Sequence, residues 1–253
     1  MKHYLGHHIY GIGAIVFGVI NLTWHSFNNW QQIQPFGNVS HSEILACIVG
    51  IIEIIGGIAI QWRKTLRIGS IILGAIYIIF AMLWVPLIGK TPLIYDRWGN
   101  FFEQFSLVSG AIILFATSGA RYSEREAKIA RIGYIFFGIC VVSFTLEQLF
   151  YLSGTASFVP KFIPPGQMFW AIITTAALGL AAFALLFGSF AFLASRLLTI
   201  MIIGFGLLVW IPRPFIDPHQ LMNWAGNAQN LLIAGAAWIV ADYLGKSKID
   251  LHG

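Results

Sequence analysis

Charge is what this sequence has least of. Asp, Glu, Lys and Arg make up 10% of its 253 residues, against about a quarter in an ordinary soluble domain. Without a charged skin the chain cannot face water all round, which excludes a soluble globular fold. Cysteine is nearly absent too. Cys47 and Cys140 each sit inside a long apolar run, so neither a disulfide framework nor a CxxC metal or redox motif is available. Histidine is in the wrong places for haem, since bis-His ligation needs two rings at matched depth on facing helices and only His25 falls inside a run, His8 being the first residue of the same one. His3 and His7 form an i, i+4 pair beside His8, but in a short tail they read as solvated surface, and no metal site is expected. Gly11, Gly13 and Gly18 follow no strand, so they are not a nucleotide fingerprint.

What the sequence does have is apolar length. It is 58% hydrophobic with a mean hydropathy of +0.78. A hydrocarbon core about 30 Å thick needs roughly 20 apolar residues in a helix rising 1.5 Å per residue. Eight such runs can be laid along the chain, approximately His8 to Asn28, Glu43 to Gln61, Ile68 to Ile88, Gly99 to Ser118, Ile129 to Phe150, Gln167 to Gly188, Ala191 to Ile211 and Asn223 to Tyr243. Between the sixth and seventh, Gly188, Ser189, Ser195 and Arg196 mark the fold-back. The first run exceeds a signal-peptide core, and Asn21, Trp24, His25 and Asn28 stand where a cleavage site would lie, so it reads as a retained helix. Short loops on the side of the N-terminus carry eleven Lys and Arg, including Arg63, Lys64, Arg67 and Arg121 to Arg131, against four on the other. The positive-inside rule then puts both termini in the cytoplasm of a cell (inner) membrane. This bias accounts for most of the net charge of +5, and no nucleic-acid partner is needed to explain it.

The chain also echoes itself. IGAIVFG at Ile12 to Gly18 returns as IGYIFFG at Ile132 to Gly138. Further on, LWVP at Leu83 to Pro86 meets VWIP at Val209 to Pro212, and Trp98 meets Trp224, at one shared offset of 126 residues. Tryptophan is rare enough for two pairs in one register to point to duplication of a four-helix unit, residues 1–122 and 123–253. An even number of spans per unit makes the repeats parallel, related by an axis along the membrane normal. The fold class expected is therefore an all-α membrane protein of about eight transmembrane helices in two parallel four-helix repeats.

The four-helix unit, with its Gly-rich first helix, EIIGG at Glu53 to Gly57, the basic turn RKTLR after it and a last helix preceded by a Trp/Asn-containing loop, resembles the DoxX family of bacterial membrane proteins. The resemblance implies a membrane component of a quinone- or sulfur-linked redox system, with quinone as the implied cofactor and a redox partner subunit. The second half departs from the pattern, since ALGLAA at Ala177 to Ala182 keeps the small residues and loses the carboxylate.

The residues themselves place any chemistry in the polar groups that the spans tolerate. An ionisable side chain near the bilayer centre costs about 2.5 to 3.5 kcal/mol and is provisionally functional. Candidate binding residues are Asn21, His25, Glu53, Asn100, Glu103, Glu147 and Asn227, with Glu53 and His25 the catalytic candidates. They ride on small-residue stripes, among them Gly11, Gly18 and Asn21, and Gly50, Glu53 and Gly57. From the helical rise, Glu53 lies roughly 15 Å below the outer end of its helix, near the midplane and nearest in depth to Asn21. His25, Glu103 and Glu147 lie only roughly 5 to 7 Å in, close enough to the interface to snorkel or cap a helix. Trp30, Trp98 and Trp224, with Trp84 and Trp210, read as interface anchors. A second reading is a small-molecule transporter or carrier, for which the halves and the midplane carboxyl are suggestive. A third is a non-catalytic scaffold, for which the stripes serve helix packing or homo-oligomer contacts.

Overall fold

The computed structural model describes residues 5–26, 41–119 and 123–250, and every regular element among them is helical. In chain order these are α1 (Gly6–Trp24), α2 (Ser42–Ile60), α3 (Leu66–Lys90), α4 (Tyr95–Thr117), α5 (Glu124–Phe150), α6 (Leu152–Phe158), α7 (Gln167–Phe187), α8 (Ala191–Phe205), α9 (Arg213–Ile216) and α10 (Leu221–Asp250). A π-helical turn, Gly206–Trp210, continues α8.

Six of these stretches are long and apolar enough to cross a membrane, against the eight runs expected: α2, α3, α4, α5, α7 and Ala191–Ile216. The two outside that set are α1, which opens on His7 and His8, and α10, which carries Asn223, Asn227, Gln229 and Asn230. Both are walls between other helices. α10 is packed by α1, α4 and α8, and its buried positions are largely small, Ala225, Ala228, Ala234, Ala236, Ala237 and Ala241. A helix hidden on three sides needs close approach more than apolar bulk. One other expectation is corrected. The first helix ends at Trp24, because His25 takes a left-handed conformation (φ 47°) and terminates it; Asn28 and Trp30 lie outside the described residues. Between Phe150 and Gln167, where the run boundaries leave a connection only, the chain forms α6.

The helices close into two circuits. α1, α2, α3, α4 and α10 pack successively and return to α1; α4, α5, α7, α8 and α10 do the same. The α4–α10 seam is common to both. Glycine sets the approach of α1 to α2: a methyl group on Gly50 would sit 2.7 Å from the Gly18 carbonyl oxygen, and one on Gly11 2.7 Å from that of Gly57. The outward faces are apolar, as lipid requires. α2 presents Ile44, Ile48, Ile51, Ile55 and Ile58, and α3 presents Ile68, Ile71, Ile79, Met82 and Val85.

Local sequence explains the connections. Ser123 and Glu126 form a reciprocal capping box that starts α5, and Glu126 also reaches Arg67 at the start of α3 (3.5 Å). That contact gathers the basic turns at one end of the bundle. Gly188, at φ 79°, ends α7 where the fold-back was expected. At the opposite end, the indole N–H groups of Trp98, Trp170 and Trp224 each donate to the carbonyl of a proline six residues earlier, Pro92, Pro164 and Pro218, at 2.9 to 3.0 Å. Each tryptophan thus pins the turn that leads into its own helix.

Candidate functional site

Glu53 and Asn21 are both fully buried, on α2 and α1 where the glycine contacts bring the two helices together. The Asn21 amide donates to one Glu53 carboxyl oxygen at 2.9 Å. The other carboxyl oxygen and the Asn21 carbonyl oxygen have no partner among the described residues. Unmet polar groups in a membrane interior cost several kcal/mol each unless a partner reaches them.

Two tyrosines accompany the pair. Tyr10 of α1 and Tyr77 of α3 are fully buried, with ring centroids 6.2 Å apart, edge to face, and both lie within electrostatic reach of Glu53. The Tyr10 hydroxyl donates to the Leu107 carbonyl of α4 at 2.8 Å, crossing the interior of the first circuit. The Tyr77 hydroxyl has no partner among the described residues. Its place follows from the α2–α3 packing, in which Gly56 meets Leu73. One turn outward from that contact on each antiparallel helix stand Glu53 and Tyr77.

Gln104 of α4 and Gln229 of α10 are 0% and 1% exposed, and both ends of both amides lack partners among the described residues. Nine residues below the start of α4, and eight below the start of α10, they lie roughly 12 to 14 Å in, about level with Glu53. Gln104 and Gln229 thus share the approximate depth of Glu53, whereas Tyr10 and Asn21 are 11 residues, roughly 16 Å, apart along α1.

The other candidates lie elsewhere. His25 is exposed at the end of α1, its backbone N–H returning to Asn21. Asn100 is buried but spends its amide on the Asp96 carbonyl (2.7 Å). Glu103 is half-buried on α4. Glu147 lies against the backbone of Gly99, where no side chain would fit, beside the Tyr95–Ser143 hydroxyl contact at 3.1 Å. Asn227 serves the second circuit, donating to the carbonyls of Trp210 (2.7 Å) and Asn223 (2.8 Å); the first of these lies in the π-helical turn, so Asn227 holds that irregular backbone. Arg213 covers it from outside, over the rings of Phe158 and Trp210. Asp217 and His219 line an open depression of about 550 Å³ with Trp24, Ser26 and Leu221.

Tyr10, Tyr77, Gln104 and Gln229 escape a reading that searches for charge. Their signal is spacing. Tyr10 is one residue from Gly11, Tyr77 is three from Gly74, and Gln104 is three and four from Leu107 and Val108 on a helix otherwise rich in Phe. Comparison with protein families, with curated proteins and with solved structures finds no match.

Proposed function

We propose that this is a multi-pass inner-membrane protein of eight spans and two parallel four-helix repeats, both termini cytoplasmic, whose first circuit binds a small molecule at Glu53. The repeat is supported by packing: α1, α2, α3 and α4 pair in the order in which α5, α7, α8 and α10 do, and α4 meets α5 as α10 meets α1. The matched indole bonds of Trp98 and Trp224 fall in the same register.

The resemblance to DoxX suggests the activity, a membrane component of a quinone- or sulfur-linked redox system working with a partner subunit. The observation that carries the reading is the set of buried polar groups without partners among the described residues, the second Glu53 carboxyl oxygen, the Tyr77 hydroxyl and the Gln104 and Gln229 amides. A quinone oxygen is held by hydrogen-bond donors, and the Tyr77 hydroxyl and the Gln104 and Gln229 amides are donors with no other use among the described residues. Quinone supplies the electron chemistry when bound, and a partner supplies the electrons. The chain's own residues orient the molecule, exclude water through the apolar faces of α2 and α3, and keep a proton at the Glu53 carboxyl. A second reading, a small-molecule transporter, draws on the two similar circuits, but Ala177 to Ala182 offers no second carboxylate.

The test is to purify the protein in native nanodiscs and identify bound small molecules and subunits by mass spectrometry, in wild type and in Glu53→Gln. A stoichiometric quinone or a redox enzyme in the wild type, lost in the variant, is the expected result. Nothing bound in either removes Glu53 as a site. Cysteines at Leu93, which is 97% exposed, and at Lys64 test orientation: an impermeant thiol reagent added to intact cells should reach only the first.

A further inference from the structure

Small residues on a membrane helix are ordinarily spent on close approach. In α2 they are: Gly56 meets Leu73 of α3, and Gly57 meets the Gly11 carbonyl of α1. On α7, within and just beyond the stretch that lacks the carboxylate, they border open space. Ala177, Ala181 and Ala184 form one wall of an apolar groove of about 260 Å³, and Phe190, Leu197 and Met201 line the other, along α8. The groove opens sideways, since Leu180 and Leu197 on its rims are exposed. Both helices belong to stretches long and apolar enough to cross a membrane, so lipid tails adjoin it. From Phe190 to Met201 the wall rises about 16 Å, roughly one leaflet of a hydrocarbon core about 30 Å thick. Over that length the volume of about 260 Å³ gives a mean cross-section of about 16 Å², room for one hydrocarbon chain and about a fifth of that of a helix about 10 Å across.

The mouth lies at the basic end of the bundle, because Tyr134 near the start of α5 donates to the Leu185 carbonyl near the end of α7. Two side chains mark it. Phe190 caps α8 in the left-handed conformation (φ 60°), which disfavours any residue with a Cβ, and from there it lines the groove. Arg196 is exposed and stands three residues after Leu193, another lining residue, so it flanks the groove on the same side of the helix. Its guanidinium turns back toward the mouth and lies over the Phe192 ring, 4.7 Å from the centroid. The carboxyl within its electrostatic reach, Asp242 of α10, is engaged by the Gly6 N–H at 3.1 Å. We propose that the α7–α8 groove holds one acyl chain of an anionic phospholipid from the leaflet at the basic end, with the lipid phosphate on Arg196. A guanidinium forms charge-assisted bonds with phosphate, and a headgroup without an ammonium leaves that attraction unopposed. The groove belongs to the second circuit and does not rest on Glu53 being a site.

The experiment uses the full-length protein in nanodiscs of equal phosphatidylglycerol and phosphatidylcholine, with one or the other carrying a diazirine on its acyl chain. After photolysis the labelled peptides are mapped by mass spectrometry. The phosphatidylglycerol probe should label residues 177–201 about fivefold more than the phosphatidylcholine probe, and more than it labels the outer face of α2, which meets lipid without a groove. Arg196→Gln should bring the ratio between the probes below about twofold while labelling persists. Ala181→Leu, which fills the groove, should reduce labelling to the level of α2, and Ala176→Leu, outside the lining, should leave it unchanged. Phe190→Gly, which suits the left-handed backbone, should weaken labelling too and covers the case in which Ala181→Leu does not fold. Labelling of 177–201 no higher than that of α2, or equal in wild type and both groove variants, overturns the site. A ratio between the probes indifferent to Arg196 overturns it as a site for anionic lipid. Cross-linking of 177–201 to a second copy of the chain in place of lipid also overturns the proposal.

Discussion

Substituting Gly50 by Ala tests how the polar centre is held together. The added methyl would lie 2.7 Å from the Gly18 carbonyl oxygen, where ordinary contact begins at 3.4 Å, so α1 and α2 must part locally by about 0.7 Å. Neither obstacle can swing away, since one is backbone and the other is the new Cβ. Overpacking of this kind costs about 1 to 3 kcal/mol. The displacement also reaches the site, because Gly50 is one turn from Glu53, and Asn21 is one turn from Gly18 on the facing helix. A bond of 2.9 Å stretched by the same amount becomes about 3.6 Å, beyond hydrogen-bond range. Two readouts follow. Reversible unfolding in mixed micelles should show the loss of stability, and isotope-edited infrared spectroscopy should show the Glu53 carboxyl band shifted, identified by its disappearance in Glu53→Gln. Gly204→Ala is the control, with nothing within 4 Å of the new methyl; it should be neutral or stabilising by up to about 1 kcal/mol through helix propensity. A Gly50→Ala protein within about 0.5 kcal/mol of wild type, with an unmoved carboxyl band, would refute the account of the α1–α2 contact as the support of the site.

A double-mutant cycle between Asn21→Leu and Glu53→Gln should give a coupling of about 0.6 to 1.7 kcal/mol, the range found for hydrogen bonds between membrane helices; additivity would mean the contact is energetically silent. Tyr10→Phe should cost about 1 kcal/mol in the same unfolding assay through loss of the bond to Leu107, and should loosen α1 against α4 in hydrogen exchange. Ser123→Ala should cost about 1 kcal/mol by removing the cap of α5, whereas Glu126→Gln, which gives up the half-exposed ion pair with Arg67, should cost less than about 0.5 kcal/mol and less still at high salt. Asn227→Leu should speed amide exchange across 206–210 while leaving α4 unchanged; equal exchange in both proteins would show that the π-helical turn does not depend on Asn227.

The outline of the bundle was legible because bilayer thickness writes itself into apolar run length. The starts of α2, α7 and α8 fall within a residue of the run boundaries, and the turn at Gly188 stands where one small residue and a lone Arg196 place it. Glu53 and Asn21 were legible as well, since glycine at intervals of seven announces close approach and a carboxyl on that face has few places to go. Run length located α1 and α10 too, although both fall short of the apolarity of the other six and have their polar positions covered by neighbouring helices. The tyrosines and glutamines of the centre were hidden: in an apolar alphabet Tyr passes as a hydrophobe, and an uncharged Gln raises no alarm until its burial is known. His25, carried onto the Asn21 face by helix phase, is the residue that ends the helix. The proline-to-tryptophan spacing of six was visible three times in the sequence and needed only the geometry to give it meaning.

The circuit around Glu53 takes its fifth wall from α10, more than 160 residues further along the chain. On the proposed eight-span arrangement, α1 to α4 therefore enter the bilayer during synthesis as an open crescent, with Asn21, Glu53 and Gln104 facing lipid or whatever escorts them through insertion. Only when α10 arrives can the interior dry and the carboxyl be enclosed. The first half cannot be matured on its own, a protein cut between α5 and α6 must recover its site by reassembly of the two fragments, and quality control that senses polar groups in lipid has the whole of translation in which to act.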